Sequence, residues 1–224
     1  MICLNKVTGR PTSGRQKTDI FVQTVNAAAD RFFRTYARHC LEPDEDTLFA
    51  FLDALHSFND KLRKVGKGDL FGSADFMALK ALRNLFHHEM ELLHEVKIIP
   101  IANLPVIAID LMVICLVDRS LVERALQREK AEHRDAIKGA FKWYGTVVNI
   151  QPCVFNGSVD VFEAVQAAGL TPESEAYHEF ESSYRSEDWN GHAHRVTGDI
   201  SCLAGSVDAV FEQVFRQKPI EAAN

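Results

Sequence analysis

The sequence predicts an all-α protein: a helical bundle with a four-helix core and additional C-terminal helices. Three observations predict it. Apolar residues recur at steps of three and four along most of the chain. Capping residues bracket those stretches. No stretch alternates apolar and polar residues as a half-buried strand would. The chain has 224 residues, 46% of them hydrophobic, enough for one large core.

The first 17 residues mix Gly, Pro, Ser and basic residues and read as a flexible segment without a signal-peptide core. A single domain then covers 18–224. Its first helix spans 18–39, where Phe21, Val25, Ala28, Phe32 and Tyr36 share a face. Pro43 and Asp44 restart the chain for a second helix that stops at Gly66. Ser73 caps a third helix that ends near Lys97. Asn103 and Pro105 open a fourth, continuing to about Val148. Ser158 caps a short helix ending at Gly169, Thr171-Pro172 starts another, and a last helix runs from 191 to 217. The bundle core is expected over 18–148, with the helices of 155–217 packed on it.

The run Leu104–Val117 is too short to span a bilayer and carries Asp110 near its middle, so it reads as a buried helix of a cytoplasmic protein with no membrane partner. A net charge of -6 argues against a general nucleic-acid coat, though not against a local basic stripe. Five widely spaced cysteines, without a CxxC pair, argue against a disulfide framework or a cysteine zinc site.

The chemistry concentrates in ALRNLFHHEMELLHE, residues 81–95. At 100° per residue, Leu79, Leu82, Leu85 and Phe86 gather on one half of the third helix. Lys80, Arg83, Asn84, His87, His88, Glu91 and His94 gather on the other. A solvated face usually carries Lys and Glu; three histidines suit proton transfer or metal binding.

Arg83-Asn84-Leu85-Phe86-His87-His88 reads RNxxxH and resembles the motif of HEPN domains, which is carried late on a helix in an all-α bundle. Many members of that family are metal-independent ribonucleases that act as dimers in toxin–antitoxin, anti-phage or RNA-processing roles; others only bind partners. The resemblance implies cleavage of RNA by 2′-hydroxyl transesterification, without a cofactor, in a homodimer that an antitoxin or other protein can accompany. Arg83 would clamp the phosphate, His88 would act as general acid or base with His87 as its rival, and Asn84 would orient one of them. The doubled histidine leaves the catalytic nitrogen open.

Lys64 and Lys67 near the motif helix, Lys80 on it, and Arg124 and Arg128 on the fourth helix are the candidate RNA contacts. Arg134, Lys138 and Lys142 extend the last pair into a stripe if that helix is continuous, spanning about 120°. Asp110 needs a partner if buried; with Glu91 it is a candidate to orient the catalytic histidine. The other class of function is a non-catalytic helical protein that binds a partner through the same face. Two ExxH pairs, Glu91–His94 and Glu175–His178, have the ligand spacing of a di-iron bundle but lack the inward glutamates of two further helices.

Overall fold

A computed structural model describes residues 13–88, 97–100, 107–111, 113–210, 212 and 214. Helices dominate it, and the fold is an all-α helical bundle. The first helix, α1 (Ser13–Leu41), buries Val25, Ala28, Ala29, Phe32 and Phe33. It pairs with α2 (Glu45–Lys64), whose Leu48, Phe51, Leu52, Leu55, Phe58 and Leu62 are also buried. The rings of Phe32 and Phe51 meet at 5.4 Å across that interface. Asp44 caps α2 by accepting from the Thr47 N–H at 2.7 Å, and the Thr47 hydroxyl accepts from the Asp44 N–H in return.

The loop from α2 to α3 (Ala74–His88) is pinned by a buried side chain. Asn59, 1% exposed, accepts from the Leu70 N–H at 2.8 Å, so the loop closes onto α2. Ser73 then caps α3 through the Phe76 N–H at 3.0 Å, the role its sequence position predicts. Phe76, Leu79, Leu82, Leu85 and Phe86 bury one face of α3.

After α3 the expected fourth helix is replaced. The chain forms β1 (Lys97–Pro100), β2 (Ile107–Ala108) and β3 (Val113–Asp118), then α4 (Arg119–Arg128) and α5 (Ala131–Ala140), then β4 (Lys142–Tyr144) and β5 (Val147–Asn149). Four of these strands form an antiparallel sheet in the order β1-β3-β5-β4. Val113-Ile114-Cys115-Leu116-Val117 is buried on both faces, so it shows no alternation; a short apolar run of that kind reads as helix or strand alike. Its β-branched residues and its pairing with β1 and β5 decide for strand.

The helix α6 (Gln151–Ala167) begins earlier than its sequence suggests. Ser158 is an interior residue whose hydroxyl bonds back to the Val154 carbonyl at 2.9 Å, rather than a cap. Next comes α7 (Glu175–Asn190), capped by Ser174 and ended by Gly191. The helix expected to start at 191 is instead an extended strap. The strap leads through β6 (Ser201–Cys202), paired with β2, to a single turn, α8 (Val207–Val210).

Candidate functional site

A polar stripe runs along α2: Asp53, His56, Ser57, Asp60, Lys61 and Lys64 recur at the three- and four-residue steps that share a helix face. Opposite it stands Arg83 of α3, and Phe21, Thr24 and Val25 of α1 close the side. Together they line a cleft of about 460 Å³. Arg83 reaches it because the buried face of α3 fixes the helix rotation, leaving Lys80 and Arg83 half-buried at the interface with its neighbours.

Within the cleft, Arg83 donates through Nη2 to Asp53 at 2.8 Å. Its Nε is buried and has no hydrogen-bond partner among the described residues, a costly state for a charged donor. Ser57 Oγ accepts from two cations, Arg31 at 2.5 Å and Lys61 at 2.6 Å. Lys61 has its pKa lowered, first by burial and then by repulsion from Arg31 and Lys64. His56 has its pKa lowered by burial; Arg83 and Lys80 reinforce the effect while Asp60 and Asp53 oppose it. Asp60 Oδ2 lies 3.7 Å from His56 Nδ1. The cleft therefore holds a neutral-leaning imidazole beside crowded positive charge, a combination suited to taking a proton near an anionic group.

The motif residues divide. Arg83 lines the cleft and Asn84 is half-buried. His87 and His88 are exposed at the end of α3, their rings 5.6 Å apart and nearly edge to face. Among the candidate RNA contacts, Lys64 lines the same cleft as Arg83. Lys67 is exposed just past α2, and Arg124 and Arg128 are exposed on α4. Lys80 is tied to Glu129 at 3.3 Å, bracing α3 against the end of α4.

The basic stripe is not one helical face. The break between α4 and α5 turns Arg134 back so that it donates to the Gln127 and Glu129 carbonyls at 2.9 Å, and Lys142 sits in β4 paired with Asp199. Asp110 is exposed rather than buried. Its carboxylate accepts from the Thr197 N–H at 2.8 Å and the Gly198 N–H at 3.1 Å, holding the strap instead of a motif histidine. Glu91 and His94 lie outside the described residues. Glu175 and His178 are exposed on α7, and no group of three or more His, Cys, Asp or Glu is placed to hold a metal among the described residues.

Asp53, His56, Ser57, Asp60 and Arg31 are the site residues that motif reading missed. The signal was present in α2, where six polar residues between 53 and 64 keep strict helical spacing. The chain matches no family model, no curated protein and no solved structure.

Proposed function

We propose that this protein is a metal-independent endoribonuclease of the HEPN type, cutting single-stranded RNA in the cleft between α2 and α3. One observation carries the reading: Arg83, the arginine of the RNxxxH motif, converges with a half-buried His56 and with Lys61 and Lys64 in one cleft.

The reaction moves one proton at each end. His56, neutral because burial disfavours its charged form, takes the 2′-hydroxyl proton. The 2′-oxygen attacks phosphorus and the bond to the 5′-oxygen breaks. A motif histidine, His88 or His87, protonates that leaving oxygen, giving a 2′,3′-cyclic phosphate and a 5′-hydroxyl. Arg83 faces the charge that builds on the phosphorane, and Lys61 and Lys64 hold the neighbouring phosphate. Phe21, 55% exposed at the cleft edge, offers a ring on which an unpaired base stacks. In a homodimer, the exposed histidines of one copy can serve the cleft of the other.

The test is RNA cleavage in EDTA by the wild type, Arg83→Ala, His56→Ala and His88→Ala. Cyclic-phosphate products that the substitutions abolish support the reading. Absence of cleavage by the wild type overturns it. The second reading, a non-catalytic binding protein, draws on the Arg83–Asp53 pair, which engages the guanidinium within the chain. Salt-sensitive RNA binding without cleavage would favour that reading.

A further inference from the structure

A second cavity, of about 210 Å³, opens between α1, α6 and α7 and shares no lining residue with the Arg83 cleft. Four aromatic rings line it, from Tyr36, Phe155, Phe180 and Tyr184. Two carboxylates, Glu179 and Glu187, complete it, and among the described residues no lysine, arginine or histidine lines it. We propose that this cavity binds a small alkylated ammonium group, of the size and charge of choline or tetramethylammonium.

The placement follows from helix spacing. Glu179, Phe180, Ser183, Tyr184 and Glu187 fall on one side of α7, so the carboxylates and rings reach the same space. The rings are fixed by packing. Tyr36 and Phe180 meet at 5.7 Å and 73°, and Tyr184 lies 4.6 Å from buried Phe162. Aromatic rings carry electron-rich faces, and a wall of several of them is the surrounding that attracts a weakly hydrated cation. Burial, with Cys40 and Glu187 nearby, raises the pKa of Tyr36, so its ring stays neutral.

The protein already places a basic ring at this wall. His194 stacks on Tyr184 at 3.6 Å and 12°, and its Nδ1 bonds Glu187 at 2.8 Å. Its pKa is raised, first by Glu187 and also by Asp188. The wall of Tyr184 and Glu187 thus favours positive charge from the strap side, and the cavity side offers Glu179 and further rings. Glu187 is already paired with His194, so Glu179 is the carboxylate that disfavours an anion in the cavity. The volume, below that of a drug-sized pocket, limits the guest to a small group.

The test is titration of the full-length protein with choline and tetramethylammonium, followed by calorimetry and by NMR of the aromatic resonances. The neutral isostere 3,3-dimethyl-1-butanol serves as control. Saturable binding of both cations, weakened roughly tenfold by Glu179→Gln and by Tyr184→Leu, and weak or absent for the isostere, is expected. Glu179 is exposed, so its variant keeps the fold if the Tyr184 variant does not. Equal binding of the neutral isostere would reduce the site to an apolar hole. That result, no saturable binding of choline, or binding that Glu179→Gln leaves unchanged would each overturn the proposal.

Discussion

Arg83 on α3 and Asp53 on α2 form an ion pair at 2.8 Å that joins the motif helix to the polar stripe facing it. The arginine is 18% exposed and the aspartate 50%, so water screens the pair. Pairs of this exposure contribute about 0–1 kcal/mol to stability. The pair is therefore better suited to orienting the guanidinium than to holding the fold. Asp53→Ala should change unfolding free energy by no more than about 1 kcal/mol in urea. It should also alter RNA cleavage or binding well beyond that change. Equal losses in both would mark the pair as structural.

His56 should shape the acid limb of a pH–rate profile. Its folded-state pKa lies below its ordinary 6.5, first through burial. A general base must be neutral, so cleavage should rise with pH and level off below that value. In His56→Gln the residual rate should lack this limb. Titration of the His56 ring by NMR gives an independent reading; a midpoint above 6.5 would contradict the assignment.

A buried histidine and a half-buried aspartate should give stability opposite dependences on pH. His39 is fully buried, with Nδ1 3.1 Å from the Thr47 hydroxyl, and burial lowers its pKa below 6.5. The unfolded chain then binds the proton more readily, so stability present above 6.5 is lost as pH falls. Asp75 has its pKa raised to about 6, first by burial and then by Asp160. Its contribution is fully present below 3.8 and is lost as pH rises through about 6. Arg195, 3.6 Å away, keeps that pKa lower than burial and Asp160 alone would set it. Asp75→Asn should therefore stabilise the protein by on the order of 1 kcal/mol at pH 7.5. Urea unfolding at pH 4.5 should show little of that gain.

Gly198 should be the most sensitive glycine of the strap. Its φ is +67°, and an added Cβ would lie 2.0 Å from Pro152 Cγ on α6. Gly191 has a similar φ of +69°, and among the described residues nothing lies within 4 Å of an added Cβ. Gly191→Ala should cost about 1–2 kcal/mol from backbone strain alone. Gly198→Ala should cost clearly more, because the strap must lift from α6 and strain the bonds of Asp110 to its backbone. Equal urea midpoints for the two variants would show that the strap is free to move.

Much of the bundle was legible in the sequence because helix periodicity and caps are local. Asp44, Ser73 and the apolar steps of Val25 to Phe33 and Leu48 to Leu62 specify their helices without reference to the rest of the chain. The polarity of the α3 face was equally local, as was the spacing of the α2 stripe. Tertiary structure decided the remainder. Val113–Val117 became strand because pairing with β1 and β5 satisfies its backbone while both faces are buried, information that a short apolar run does not contain. Asp110 went to the strap because its partners, Thr197 and Gly198, are the nearly ninety residues distant N–H groups that the fold brings beside it. The meeting of Arg83 with Asp53 and His56 likewise depends on how α3 rotates against α2. That rotation is set by packing between side chains far apart in sequence, so the residues were readable one by one and the cleft they share was not.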